Sequence, residues 1–421
     1  MKKIVITLFA MTLSMAGFAQ EEEKERNYDI CISGELDLSA NNHSGGLFDQ
    51  EKGVKSSNST TGFIPSFDVW GEYRFSPKWK ADFEAEFISG CGVMVDEVSL
   101  THTFHPALNV KGGMFTLPVG YGNSGRSYMD FFTNSDPEGE VMMMPCPFTE
   151  IGLALEGETD FGFNYFLSLT SALNAWNFSA QNWASAATQG FFSDEVRFSS
   201  PAITLRLGET FFEGLNVGLG VYYSSNILKN SAYYDSYKEY SMENFGSVKK
   251  TPITILFADA EYSNDYFTAR IAATQGHLGN AYYLTDYLGS VQDAVADGEM
   301  DELEYAGGSI GKDIKSAMAE VGLNLKNCFY RDSKGPELMP FVHYELYDLQ
   351  SKVDKEGTPY LSTGELAAKD ERSKVKAWTF GCNWKCHESV LLKFNYALRN
   401  VGNGYKNLNS FNVAVAYNFD L

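Results

Sequence analysis

The last segment of the chain sets its rhythm. Phe411, Val413, Val415, Tyr417, Phe419 and Leu421 fall on one face of an extended strand, and Asn412, Ala414, Ala416, Asn418 and Asp420 fall on the other. One face suits lipid and the other suits water. Upstream, Val390, Leu392, Phe394, Tyr396 and Leu398 alternate with Lys393, Asn395 and Arg399. Trp79, Ala81, Phe83, Ala85 and Phe87 alternate with Lys80, Asp82, Glu84 and Glu86, and the segments around Phe161–Thr170 and Leu215–Tyr223 repeat the pattern. Cut this way, the chain predicts sixteen strands, near 28–39, 61–75, 78–89, 92–104, 108–117, 148–158, 161–174, 195–207, 215–224, 251–263, 266–275, 315–328, 337–348, 374–384, 389–399 and 409–420.

The links between these segments alternate in length. Short links, such as Ser76-Pro77, His105–Ala107, Thr159-Asp160, Gly208–Gly214, Asn264-Asp265, Tyr330–Pro336 and Lys385–Glu388, carry turn residues. Most of the links between them are long: 40–60, 118–147, 175–194, 225–250, 276–314 and 349–373. A β-sandwich has no reason to keep that order, whereas a barrel crossing a bilayer has short turns on one side and long loops on the other. The fold class expected is therefore all-β: a single transmembrane antiparallel β-barrel of about sixteen strands, with short periplasmic turns and long extracellular loops. An even count also returns both termini to one side.

Met1–Gln20 reads as a secretory signal. Lys2 and Lys3 precede an apolar run from Ile4 to Ala16, and the small residues Gly17 and Ala19 precede a cut before Gln20. Residues 1–19 are expected to be signal peptide and 20–421 the barrel. The whole sequence holds 33 basic and 54 acidic residues; without Lys2 and Lys3 the net charge falls from -21 to -23. Nucleic acid would be repelled by such a chain. After the signal no window of eighteen apolar residues occurs, so a helical membrane protein is excluded.

Sixteen strands enclose a lumen too wide for wall side chains to fill, and the expected function is passive diffusion of small hydrophilic solutes or ions. Alternation assigns the basic side chains facing that lumen as Arg74, Lys80, Lys111, Arg206, Arg270, Lys326, Lys376, Lys393 and Arg399. The acidic ones are Asp29, Glu35, Asp37, Asp68, Glu72, Asp82, Glu84, Glu86, Glu97, Glu156, Glu158, Asp259, Glu261, Glu320 and Glu345. Nine against fifteen predicts a weak preference for cations. Link 118–147, with Arg126, Asp130, Asp136, Glu138, Glu140 and Met142–Met144, is the candidate constriction loop, expected either to fold inward or to pack outside on its neighbours. The rival function, from a different class, is a barrel with a closed lumen serving as an adhesion or assembly partner.

Leu108–Gly120, LNVKGGMFTLPVG, followed by a long link and PFTEIGLALEG at Pro147–Gly157, resembles the paired strand motifs of the phosphate-selective porin O and P family and its porin relatives in Bacteroidota. The segment WTFGCNWKCHESVLLKFNYAL is similar to that family's penultimate hairpin. The resemblance spans about a third of the chain. It implies a passive outer-membrane porin, a homotrimer, embedded among lipid and lipopolysaccharide. The family's anion selectivity does not carry over, because the matching loop sets Arg126 among four acids.

Other patterns point elsewhere only weakly. Gly120-Tyr-Gly122-Asn-Ser-Gly125 fits G-x-G-x-x-G, but its strand alternates and no amphipathic helix follows, so it reads as a loop base. Cys382 and Cys386, on a predicted tight turn, are candidates for a disulfide and poorer ones for a metal, since C-x-x-C spacing is absent. Six scattered histidines and no G-x-S-x-G offer no catalytic triad; neither enzyme activity nor a cofactor is expected. The acidic run from Asp293 to Glu304 reads as a solvated loop or a holder of divalent cations. Trp70, Tyr73, Phe75, Trp79, Trp378 and Trp384 are expected in interfacial aromatic girdles.

Overall fold

The structure is a computed structural model that describes residues 27–421 except 55, 63–65, 89–91, 135, 190–195, 297–307, 330–336, 362 and 403. The segment expected to be a signal peptide, Cys91, most of the acidic run (297–304) and the link expected as a turn at 330–336 therefore lie outside the described residues.

Sixteen antiparallel strands form one sheet, each paired with its sequence neighbours. They are β1 (Tyr28–Asn41), β2 (Ser59–Gly62 and Ser66–Ser76), β3 (Trp79–Ile88), β4 (Gly92–His105), β5 (Leu108–Thr116), β6 (Thr149–Glu158), β7 (Phe163–Thr170) and β8 (Ala202–Phe212). There follow β9 (Leu215–Ser224), β10 (Ile253–Ser263), β11 (Phe267–Leu278), β12 (Gly311–Leu323), β13 (Glu337–Val353), β14 (Lys374–His387), β15 (Val390–Val401) and β16 (Leu408–Asp420). The two pieces of β2 pair with successive stretches of β1 and count as one strand. β1 also pairs with β16, from Cys31 opposite Asp420 to Asn41 opposite Ser410, so the sheet closes on itself and leaves no edge.

Period-two chemistry gives the closed sheet two faces. Outside stand Leu153, Leu169, Ile203, Leu219, Leu256, Ile271, Phe380, Tyr396 and Phe411, all large, apolar and exposed. An apolar band that runs round the whole molecule would be an aggregation hazard in water and is what a bilayer core requires. Toward the short turns Tyr73, Phe75, Trp79, Phe104, Phe161 and Phe211 add an aromatic girdle, with His102 stacked on Phe104 at 4.4 Å between ring centres. Trp70 is not part of it: it has the parity of Asp68 and Glu72 and so belongs to the inner face. Among the described residues no helix is long and apolar enough to cross a membrane.

Several strand boundaries differ from expectation, and three of the differences bear on the argument. The strand expected at 195–207 runs from Ala202 to Phe212, because the β-forming run Thr210-Phe211-Phe212 continues the ladder up to Gly214. The strand expected to end at 328 stops at Leu323, where the Asn324 side chain accepts the Asn327 N–H at 3.2 Å and starts a short helix, Leu325–Phe329. Strand β14 runs through His387, so Cys382 and Cys386 lie four residues apart along an extended chain, about 13 Å. That exceeds the reach of a disulfide, and both are free thiols.

At the long-link end the inner face turns apolar. Tyr222, Ile253, Ile255, Leu278, Ile314 and Tyr347 point inward there and pack with Phe148, Leu173, Phe178 and Trp183 from the links. The helices α2 (Tyr234–Phe245) and α3 (Ala281–Ala296), which follow α1 (Glu138–Met143) in the chain, add Tyr237, Leu284, Tyr287 and Leu288 to the same cluster. The links thus form a folded cap over part of the barrel mouth. Trp183 anchors it, with Nε1 donating to the Gly311 carbonyl at 2.9 Å. A Cβ on Gly276 would come within 2.6 Å of the indole, so glycine is what admits the ring. Trp183→Ala is expected to destabilise the cap by about 3–5 kcal/mol, read as faster proteolysis of the links at a temperature where the barrel stays intact.

Candidate functional site

Residues 117–147 leave β5 and return to β6 by way of the barrel interior. The contacts prove the path, because the segment touches polar side chains on strands from both ends of the closed sheet. Asn134 donates to Asp37 of β1 at 2.9 Å, and Arg126 pairs with Glu261 of β10 at 2.8 Å. Phe132 lies under the Arg270 guanidinium of β11 at 4.7 Å, and its carbonyl accepts from Asn383 of β14 at 3.1 Å. Glu138 receives the Tyr347 hydroxyl of β13 at 2.8 Å and pairs with Arg399 of β15 at 2.6 Å. Only a chain inside the cylinder can reach all of these. At Gly139 a Cβ would meet Ser316 Oγ at 2.5 Å and Tyr347 Cβ at 2.9 Å, so glycine lets α1 lie directly on the wall.

Two buried side chains, Lys393 and Glu140, pin the segment. The Lys393 ammonium is fully enclosed and donates to Glu35 Oε2 at 2.6 Å and to the carbonyls of Tyr128 and Thr133 at 2.7 and 2.9 Å. All three of its donors have partners. Glu140 accepts the backbone N–H groups of Tyr121 and Gly122, at 2.9 and 2.8 Å, and the Thr274 hydroxyl at 2.9 Å. The G-x-G-x-x-G segment therefore turns its amides to the chain's own carboxylate. Burial pushes Glu140 up to about 7 against these donors, and burial likewise pushes Asp136 up to about 6. Asp130 is exposed and closes a turn with Ser127 at 2.8 Å. A cavity of about 200 Å³ remains between the segment and the wall, bordered by Asp136, Glu138, His343, Glu345 and Arg399.

Every remaining basic side chain expected on the wall, bar two, lies on the inner face beside a carboxylate. Lys80 meets Glu72 and Asp82 at 2.8 and 3.2 Å, Lys111 meets Glu97 at 3.0 Å, and Arg206 meets Asp259 at 2.8 Å. Arg270 bridges Glu261 and Glu320, and Arg74 bridges Asp29 and Glu72. Glu345 accepts the N–H groups of Glu138 and Gly139. The two exceptions are corrections. Lys326 sits in the short helix beyond β12, 4.0 Å from Glu337, and so leaves the wall. Lys376 has the parity of the exposed Trp378 and Phe380 and faces outward.

Two inner carboxylates escape the sequence reading. Glu150 of β6 is buried with its carboxylate against the Ser171 hydroxyl; it was legible as the start of an alternating segment. Asp96 of β4 was not legible, because β4 has one residue more than β3 between the pairs Glu84–Glu97 and Ala85–Val95. This β-bulge turns Asp96 and Glu97 to the same side. Among the wall charges that alternation assigned, removing two bases and adding these two acids leaves seven basic against seventeen acidic side chains, a stronger imbalance than expected. The cover is uneven. Arg270, Thr274, Glu320, His343 and Lys393 are buried where the segment lies on β11–β15, and Asp82, Asp96 and Glu97 are buried on the opposite arc, whereas Lys80, Glu84, Glu86, Lys111 and Glu156 on β3, β5 and β6 and Arg399 on β15 stay partly open to solvent.

A closed barrel, apolar outside and charged within, with one link folded into it, is the architecture of outer-membrane porins. No protein-family model matches the chain, and no curated protein matches it in sequence. Solved structures share its fold. The outer membrane channel DcaP of Acinetobacter baumannii aligns over 94% of this chain and 99% of its own with a TM-score of 0.56 at 10% identity. OprB of Pseudomonas putida aligns over 93% and 94% with a TM-score of 0.53 at 9% identity. The anion-selective porin from Comamonas acidovorans aligns over 93% and 99% with a TM-score of 0.51 at 11% identity. At such identities the likeness is one of fold.

Proposed function

We propose that this chain, after loss of residues 1–19, is a passive channel of the bacterial outer membrane through which small hydrophilic solutes and ions diffuse. The observation that carries the reading is that the infolded segment covers the charged inner wall only in part: Lys80, Glu84, Glu86, Lys111 and Glu156 on β3, β5 and β6 stay in contact with water. A lumen built to be shut has no need of solvated charges along one arc. The segment 117–147 is the constriction, with Arg126 and Glu138 at its wall contacts, Asp136 beside the cavity it leaves and Asp130 on its exposed turn. The resemblance of its strand motifs to those of the phosphate-selective porin O and P family supports the same reading and the homotrimer. The mechanism is size exclusion by the segment plus the field of the wall, without catalysis.

Seventeen acids against seven bases favour cations. Purified protein in a planar bilayer is expected to give stable ohmic steps with K⁺ more permeant than Cl⁻. A bilayer that stays silent would favour the rival role as an adhesion or assembly partner. A clear preference for Cl⁻ would show that the constriction, with Arg126 and Arg399, overrides the wall.

A further inference from the structure

β2, β3 and β4 bring one group of acids together on the inner wall. The register sets Asp68 opposite Glu86, Trp70 opposite Glu84, and Glu84 opposite Glu97. Glu97 is satisfied by the Ser99 hydroxyl at 2.6 Å and the Lys111 ammonium at 3.0 Å. Asp68 is satisfied by the hydroxyls of Tyr128 and Ser33. Asp96 is not. It is 3% exposed, its Oδ1 is enclosed without a hydrogen-bond partner among the described residues, and the charges that act on it are Glu84, Glu86 and Asp68. A buried carboxylate among like charges is unfavourable, and a strand without the bulge would have placed one acid here instead of two. Asp82, Glu150 and Asp259 also have an enclosed carboxylate oxygen without a hydrogen-bond partner among the described residues; what distinguishes Asp96 is the like charge of Glu84, Glu86 and Asp68 around it, which a bound cation would offset.

We propose that this patch is a station for permeating cations, in which Asp96, Glu84 and Asp68 hold one bulky cation, with Trp70 on the same face. Among the described residues no three side chains of ligand type converge to cage a bare metal ion. The cation is therefore one that keeps its shell, either a hydrated metal ion or an organic ammonium, for which an indole face is also attractive. Tyr128 belongs to the infolded segment and bonds Asp68, which places the station at the constriction. The proposal deepens the channel reading and rests on it for the word permeating.

Binding and conduction test it separately. The full barrel in detergent is titrated calorimetrically with hexaamminecobalt(III), a stand-in for a hydrated metal ion that cannot shed its ligands, and with spermidine. Saturable binding of at least one is expected, weakened about tenfold by Asp96→Asn and by Glu84→Gln and unchanged by Glu243→Gln on α2. Binding of the cobalt complex alone assigns hydrated metal ions, and of spermidine alone organic ammonium ions. No saturable binding, or binding indifferent to Asp96→Asn, overturns the station. In bilayers Asp96→Asn is expected to lower the K⁺ to Cl⁻ permeability ratio several-fold while conductance persists, and an unchanged ratio overturns the role in permeation. A silent wild type that still binds through Asp96 would sink the channel reading and leave the cation site standing.

Discussion

Lys393→Met is expected to release the infolded segment and raise single-channel conductance several-fold. Methionine fills nearly the same volume but offers no donor, so the Glu35 carboxylate and the Tyr128 and Thr133 carbonyls lose their shared partner at once. Breaking a buried ion pair from one side costs about 3–5 kcal/mol, because the surviving charge stays desolvated. The segment yields before the barrel does. It is held by single contacts such as Asn395 to Asn134 at 2.7 Å and Arg399 to Glu138 at 2.6 Å, whereas β15 is held by ladders on both sides. Adding Glu35→Gln removes the stranded charge and is expected to recover part of the lost thermal stability, yet not the tether to the two carbonyls, so conductance stays high. Unchanged conductance in a folded Lys393→Met barrel would show that the segment does not limit the current.

Acidity is expected to tighten the same segment. Glu140 and Asp136 are pushed up to about 7 and about 6 by burial, above the values of exposed carboxyls. Between the ordinary and the raised value the docked segment holds protons that an undocked one releases. Above about pH 5 docking is therefore strongest at the acid end, weakens as pH rises through that window and levels off above about 7, whereas in stronger acid protonation of Glu138, held low by Arg399, works against it. For Glu140 the change amounts to about 3 kcal/mol. Conductance is expected to be lower and less noisy at pH 5 than at pH 8, and Glu140→Gln, which keeps an acceptor for the Tyr121 and Gly122 amides, should flatten most of that dependence. A larger conductance at pH 5 would reverse the sign and refute the burial argument.

The barrel was legible because its two solvents differ so sharply that neighbouring residues such as Lys393 and Phe394 cannot exchange places. Outward Lys376 was also legible, since it shares the parity of Trp378 and Phe380. The short helix after β12 needed the Asn324 cap to be recognised, and Lys326 was misplaced without it. Near the mouth Ile253, Ile255 and Leu256 are apolar on both faces, because the cap makes the inside dry there, and alternation fades. Asp96 was hidden for a different reason: strict alternation allows one inward acid where a bulge supplies two. The infolded path of 117–147 left no local pattern, since its partners Glu345, Lys393 and Arg399 lie more than two hundred residues away.

Swelling of liposomes loaded with the protein and challenged with uncharged sugars of graded size measures passage itself. A water path beside the infolded segment predicts rapid swelling with the smallest sugars, a steep cut-off as size increases, and a higher cut-off in Lys393→Met. Liposomes that fail to swell with even the smallest sugar, although the barrel is inserted and folded, would contradict an open lumen.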